Sequence, residues 1–408
     1  MREMKGLDRV RQFIGANQMS QLSEMRQTVR IGRMNPLDPK NPGHQEPLGL
    51  SGKEDILVVG GYGQVGQVVC RTLGEQFPGR VYAAGRDERK AGEFAAASEG
   101  TVKPLRMDVR DPGSATLLEQ AALVVMCVDQ ENTRFVEQCL AQHTHYIDIT
   151  ASYDFLCKVR ELGARENPKS TAVVSAGLAP GLTNLLAKQC TRVLEEVHSV
   201  ELYLLLGLGE HHGRAAVEWM VDRLVDDFSL TVQGARHRVP SFGEGKAADF
   251  PGGLGRRWAY RFDFPDQHVL PGTLGIPSVS TRLCFDSAAV TRLLALAKKA
   301  GLLGLLRHPA LHRTAVSVLG KVQWGSEVYA ALAIAEGRLG GRMVRYRCSV
   351  RGAKEHLVTG RVAAYAAKQI YTGACRPGVY HLEELFEPPE VIGSLGEGVV
   401  FEEAFEET

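Results

Sequence analysis

The 408-residue chain is longer than a single core usually fills, so two domains are expected. Apolar residues make up 44% and charged residues 23%, with a formal net charge of +1, which fits a globular chain and excludes a global field for nucleic acid or membrane. Eight cysteines form no C-x-x-C pair and have no histidine at zinc spacing, so free thiols in a reducing cytoplasm are expected, and no metal.

Residues 1–53 read as an extension rich in Lys and Arg. An amphipathic helix is expected over 3–30 and a Pro-rich connector over Asn35–Gly43. Met1–Gly15 lacks the apolar segment of a signal peptide. From Asp55 the pattern changes. Ile56-Leu-Val-Val59 is a β-branched apolar run ending in glycines, as in a strand buried on both faces of a parallel sheet. Helix is then expected over Val65–Phe77, strand over Arg80–Ala84, helix over Ala91–Ala97, strand over Val102–Met107, helix over Ser114–Gln120 and strand over Leu123–Val128. Helix Thr133–Gln142, strand His145–Ile149, helix Tyr153–Glu166 and strand Thr171–Ser175 continue the alternation. This rhythm predicts an α/β Rossmann domain over 54–178, with a doubly wound parallel sheet.

After Pro180-Gly181 the rhythm differs. Val197–Leu206, Trp258–Phe264, Val279–Phe285 and Met343–Val350 alternate in part, with helices near 214–227, 287–306 and 310–319. They predict an α+β substrate and dimerisation domain over 179–351, with a mostly antiparallel sheet. Residues 352–408 are expected to return to the first domain through Leu357–Tyr371, leaving the glutamates of 383–407 on the surface. The longest apolar stretch, Ala288–Leu306, is interrupted by Arg292, Lys298 and Lys299 and falls short of a membrane span, so no membrane partner is expected.

The strongest chemical signal is Gly61-Tyr62-Gly63-Gln64-Val65-Gly66, directly after a strand and opening a helix. Gly61 permits the turn, Gly63 lets backbone approach a pyrophosphate, and Gly66 lets helix pack on strand. The helix start offers free N–H groups to phosphate. At the end of the next strand, an NAD site carries an acid for the ribose hydroxyls. Here the chain reads Ala83-Ala84-Gly85-Arg86-Asp87. A guanidinium in place of the acid suits a 2′-phosphate, so NADP is expected, with Arg86 as its ligand and Arg89 or Lys90 assisting; Asp87 could still serve NAD. Asp108, ending the third strand, either touches the adenine end or is an ordinary loop residue. Val128 and Asp129, after the fourth strand, should line the nicotinamide side.

On four features the chain resembles the saccharopine dehydrogenase-like family of NADP-dependent reductases, which includes saccharopine reductase and carboxynorspermidine dehydrogenase. They are the fingerprint with its Gly-Arg ending, His145-Tyr-Ile-Asp148-Ile-Thr150-Ala-Ser152-Tyr153, Ala176-Gly177-Leu-Ala-Pro180-Gly181-Leu-Thr-Asn184, and Pro377-Gly-Val-Tyr380 before an acidic helix. The resemblance implies a Rossmann domain, a substrate domain and a C-terminal return, with hydride transfer at a carbon–nitrogen bond. Members with saccharopine-type activity tend to carry Cys and Asp where this chain has Ala176 and Ala179, which argues against saccharopine as the product.

Reduction of an imine needs a proton for nitrogen as well as a hydride for carbon. Asp148, Tyr153 and His211 (with His212) are the candidate proton carriers. Asp148 could equally cap its turn, Tyr153 could be a packing residue, and the histidines could sit in a plain surface loop. Asn184 either caps a helix or binds a substrate carboxylate, and Arg282 is a candidate carboxylate fork or an outward-facing side chain. The expected protein is a cytoplasmic homodimer that reduces an amino-acid-derived imine or oxidises the matching secondary amine. A carbonyl or enoyl reductase on a larger apolar substrate, or a non-catalytic NADP-binding regulator, are the alternatives.

Overall fold

The computed structural model describes residues 52–166, 168–210, 213–232, 235–320 and 325–406. The extension over 1–51, His211, His212 and Trp324 lie outside these.

The first sheet has seven strands, all parallel, in the order β15-β6-β5-β4-β1-β2-β3. Its strands are β1 (Asp55–Val59), β2 (Val81–Gly85), β3 (Val102–Arg106), β4 (Ala121–Met126), β5 (His145–Asp148), β6 (Thr171–Val174) and β15 (Gly378–His381). All six residues of β4 are buried, as a central strand covered on both faces requires. The intervening helices are α1 (Gln64–Gln76), α2 (Glu88–Ala96), α3 (Arg134–Ala141) and α4 (Tyr153–Glu166), with a 3₁₀ turn at Pro112–Glu119 where a helix was expected. Pro at its first position and the Asp111 side chain accepting from the Gly113 N–H explain its start. Phe135, Leu140, Leu156 and Val159 of α3 and α4 pack one face of the sheet.

The second sheet also has seven strands, in the order β10-β11-β12-β7-β13-β14-β16. They are β7 (Glu196–Leu206), β10 (Lys246–Phe250), β11 (Gly255–Arg261), β12 (Ser278–Phe285), β13 (Val328–Leu339), β14 (Arg342–Ala353) and β16 (Val400–Glu406). Every pairing is antiparallel except β12 with β7. The β13–β14 hairpin turns on Gly340-Gly341, both at positive φ (58° and 74°), as a tight two-residue turn demands. A separate hairpin pairs β8 (Phe228–Val232) with β9 (Ala235–Val239). The helices are α5 (Leu182–Val193), α6 (Arg214–Val225), α7 (Asp266–Thr273), α8 (Ala288–Lys299) and α9 (Pro309–Leu319), then α10 (Glu355–Tyr371), α11 (Leu382–Leu385) and α12 (Pro388–Ser394).

One apolar cluster is continuous through both sheets. It joins Ile56 and Val58 of β1 to Val362 and Ala366 of α10, then to Leu185 and Leu186 of α5 and Leu202 and Leu204 of β7. α10 lies close on α1 because Gly360 has no side chain: a Cβ there would stand 2.6 Å from Val68 Cβ.

The C-terminal segment departs from expectation in two ways. β15 joins the first sheet beside β6, but β16 runs to the second sheet and pairs with β14. The glutamates of 383–407 are not uniformly at the surface, because Glu383 is 1% exposed. At the other end Lys53 is anchored: its ammonium donates to Leu118 O (2.8 Å) and Thr144 Oγ1 (3.0 Å).

Candidate cofactor and active site

The fingerprint turns tightly from β1 into α1. A Cβ on Gly66 would lie 2.1 Å from Gly60 O, and one on Gly61 would lie 2.6 Å from Ala83 Cα, so neither position admits a side chain. Gly63 is the N-cap of α1, and no side chain caps that terminus and no acid lies in its first turn. The first amides of α1 thus remain for a ligand, which fits a diphosphate.

At the end of β2, the ring of Tyr62 fills the space over Gly85: a Cβ there would meet Tyr62 Cε1 at 2.5 Å. The Tyr62 hydroxyl accepts from the Asp87 N–H at 3.0 Å. Asp87 Oδ1 in turn accepts from the Lys90 N–H (3.1 Å) and caps α2. Arg86 is exposed and makes no hydrogen bond or ion pair among the described residues. Arg89 pairs with Glu93 along α2. Asp108 binds the Arg110 guanidinium at 2.8 Å, which with the Arg110 N–H pulls its carboxyl down to about 2, and Arg86 adds to the pull. Asp108 is therefore occupied by its own loop.

At the carboxyl ends of β4 and β5, Val128 is 40% exposed and its Cγ1 lies 2.7 Å from where a Gly60 Cβ would stand. An exposed valine against the fingerprint suits an aromatic ring. Asp129 Oδ1 accepts from the Thr150 hydroxyl at 3.3 Å. Gln130 Nε2 donates to Asp148 Oδ2 at 3.1 Å, while Gln130 Oε1 is buried without a partner. A buried orphan acceptor at this edge fits a ligand N–H such as a carboxamide.

Asp148 is fully buried. It accepts from the Tyr146 hydroxyl, from Gln130 and, at 2.7 Å, from the Thr150 N–H. Burial outweighs these donors and pushes its carboxyl up to about 7. Beside it, His145 Nδ1 accepts from the Thr171 N–H (2.9 Å), and burial holds its imidazole down to about 4.

Tyr153 opens α4 at the same edge, and its ring stacks on His268 of α7 (centroids 4.4 Å apart, planes at 21°). His268 Nε2 lies 2.6 Å from Asp263 Oδ1, and Asp263 Oδ2 accepts from Arg223 at 2.8 Å. Burial, then Cys157, pushes the Tyr153 phenol up to about 12, so it stays protonated. This Tyr–His–Asp–Arg chain brings the first sheet's edge to side chains of the second layer. Sequence reasoning singled out Tyr153 alone. His268 and Asp263 sit on either side of Pro265 at the start of α7, a short helix without strong periodicity, so no pattern marked them.

Two other candidates lie elsewhere. Asn184 is fully buried: its Oδ1 accepts from the Gly181 N–H (3.2 Å), and its Nδ2 donates to Glu383. Arg282 is 6% exposed on β12, bonded to Glu201 (3.0 Å) and packed over the Tyr203 ring. It points to the opposite face of the second sheet from Thr281, whose amide and hydroxyl meet α7. No cluster of metal-ligating residues occurs among the described residues.

Residues 56–176 match the family model of the saccharopine dehydrogenase NADP binding domain. No curated protein matches the chain. Among solved structures, the chain is similar to apo saccharopine dehydrogenase (L-Glu forming) from Saccharomyces cerevisiae, with 15% identity and a TM-score of 0.62 over 87% of this chain and 100% of that one. A probable dehydrogenase from Thermotoga maritima matches at 8% identity and a TM-score of 0.40, over 84% and 93% of the two chains. C. glutamicum DAP dehydrogenase in complex with DAP matches at 12% and 0.39, over 83% and 95%. Residues 56–176 thus form an NADP-binding domain of the saccharopine dehydrogenase type, and the chain as a whole shares its fold with the yeast enzyme.

Proposed function

We propose that the protein transfers hydride at the carbon–nitrogen bond of an amino-acid-derived imine or secondary amine, with NADP as cofactor. The first-turn amides of Gln64–Gly66 would hold the diphosphate, Arg86 the 2′-phosphate, and Val128 with Gln130 the nicotinamide end. NADPH bound there supplies the hydride. The observation that carries the proposal is the Tyr153–His268–Asp263 chain. A stacked imidazole anchored by a carboxylate can deliver the proton that imine nitrogen requires, since imidazole is the side chain suited to proton traffic at physiological pH. His268 Nε2 is committed to Asp263, and Nδ1 has no protein partner among the described residues. Tyr153, held protonated, orients that ring and can donate a hydrogen bond. Asp148 enters as a positioning residue: it holds Thr150, and through it the loop that carries Tyr153.

The yeast enzyme of like fold is a saccharopine dehydrogenase. Ala176, buried beneath the turn, and Ala179 supply no polar group where saccharopine-type members carry Cys and Asp, so a different amine–carbonyl pair is the expected substrate. The test is NADPH oxidation across a panel of amino acids paired with aldehydes and 2-oxo acids. Turnover that requires both amine and carbonyl supports the proposal. Turnover on carbonyl or enoyl compounds alone favours the larger apolar substrate, and tight NADPH binding without turnover favours a regulator.

A further inference from the structure

We propose that the face formed by α8, the 3₁₀ turn Leu302–Arg307 and α9 docks the protein peripherally on an anionic lipid bilayer. Leu293, Leu296, Leu302 and Leu305 are 56–66% exposed, and Leu311, Val318 and Leu319 of α9 are 46–53% exposed. So many large apolar side chains exposed within about 30 residues exceed the scattered exposure of an ordinary surface.

Charge names the occupant. From Ser287 to Gly320 the sequence contains five lysines and arginines and no aspartate or glutamate. Lys298 and Arg307 are neutralised by Asp227 and Asp226, both at 3.0 Å. Arg292 and Lys299 are exposed and make no ion pair among the described residues. On α8, Arg292, Leu296 and Lys299 follow an i, i+4, i+7 stripe, with Leu293 beside it, so the exposed leucines are bracketed by cations. The opposite side of α8 (Thr291, Leu294, Ala295) faces the core, so the leucines cannot turn inward. Trp258, 51% exposed, borders the same edge in a small recess shared with Arg256 and Arg292. Leucines to enter the acyl boundary, a tryptophan for the interface and unpaired cations for lipid phosphates are the parts of an interfacial helix. No helix among the described residues is long and apolar enough to cross a membrane, so the contact is peripheral. A second copy fits less well, because a twofold contact through this face would set Arg292 and Lys299 against their own images.

The test is flotation of the full chain with vesicles of phosphatidylcholine alone and of phosphatidylcholine mixed with phosphatidylglycerol, at low and high salt. The expected result is recovery with the anionic vesicles only, weakened by salt. Leu293→Ser/Leu296→Ser and Arg292→Glu/Lys299→Glu should each lower the partition coefficient by more than about tenfold. Arg342→Glu, at the exposed β13–β14 hairpin, should leave it unchanged. Equal binding to both vesicles, no binding to either, or insensitivity to both double variants overturns the proposal. So does a concentration-dependent dimer that the leucine variant abolishes while vesicles go unbound, which would assign the face to a second copy.

Discussion

Asn184 Nδ2 donates to Glu383 Oε2 at 2.9 Å, joining the first turn of α5 to a segment 199 residues later, with both side chains out of contact with solvent. Thr273 at the end of α7 donates to the other carboxylate oxygen at 2.7 Å. Burial raises the Glu383 carboxyl above its ordinary range, and these two donors pull against it. Asn184→Leu strands a buried carboxyl and is expected to cost about 1–3 kcal/mol in urea denaturation. Glu383→Gln, which keeps an acceptor for Thr273, should cost less. If Asn184→Leu unfolds at the wild-type midpoint, the bond has no structural weight.

Coenzyme preference should rest on Arg86. Arg86→Ala is expected to lower NADPH affinity by roughly ten- to a hundredfold, the value of a charge-assisted bond, while NADH affinity stays within about twofold. Arg89→Ala should do far less, because Arg89 is already paired with Glu93. Fluorescence titration with both nucleotides decides, and an unaltered NADP-to-NAD ratio in Arg86→Ala would refute the assignment.

Gly66→Ala places a methyl carbon 2.1 Å from Gly60 O, so the turn must open, and NADPH binding should fall below detection at micromolar protein. Gly92→Ala, in the middle of α2 where a Cβ meets nothing within 4 Å, should raise stability by about 0.5–1 kcal/mol without altering binding. Calorimetric titration of both variants separates a local steric effect from a general intolerance of alanine.

His268→Gln should reduce kcat by about 10²–10⁴ once a substrate is in hand, with the NADPH dissociation constant unchanged. Tyr153→Phe keeps the stacking and loses the phenol, so a smaller drop is expected. Asp263→Asn should lower kcat as well, though less than His268→Gln, because it weakens the anchor that fixes the ring through Nε2. A His268→Gln enzyme with wild-type kcat would remove this residue from the mechanism.

Stability should carry a signature of Asp148. Its carboxyl sits near 7 in the folded chain against an ordinary 3.8, so the folded state holds the proton more tightly than the unfolded one. That contribution is whole below about pH 4 and is lost as pH rises through 7. Asp148→Asn cannot ionise and should flatten this part of the profile. Between pH 4 and 8 the wild type is expected to lose on the order of a few kcal/mol relative to the variant. Parallel profiles for the two proteins would show that the carboxyl is not held as described.

The first layer was legible because its signals are local. A β-branched run ending in glycines marked β1, buried apolar runs in the strand–helix alternation marked β2 and β4, and the fingerprint's spacing marked where a dinucleotide is expected. Arg86 could be nominated for the same reason, since the role proposed for it depends on its distance from Gly61 along the chain. The second layer was less legible. Glu383 looked like part of an acidic surface because nothing nearby in sequence reveals that Asn184 and Thr273 close over it. β12 read as one more alternating strand, and its parallel pairing with β7 depends on a crossover of some 70 residues. His268 acquires meaning only when α7 is laid against Tyr153, a contact between residues more than a hundred positions apart.

The ring lying over Gly85 bears on how this protein could be re-engineered. The usual route from NADP to NAD grafts a carboxylate at the end of the second strand, but here that position is sealed by an aromatic group belonging to the phosphate loop itself. An aspartate introduced alone would dislodge Tyr62 and, with it, the contact to Asp87 that sets the entry of α2. A change of nucleotide therefore has to begin with a smaller residue at 62, which makes coenzyme choice a two-step trait, protected against drift by single substitutions.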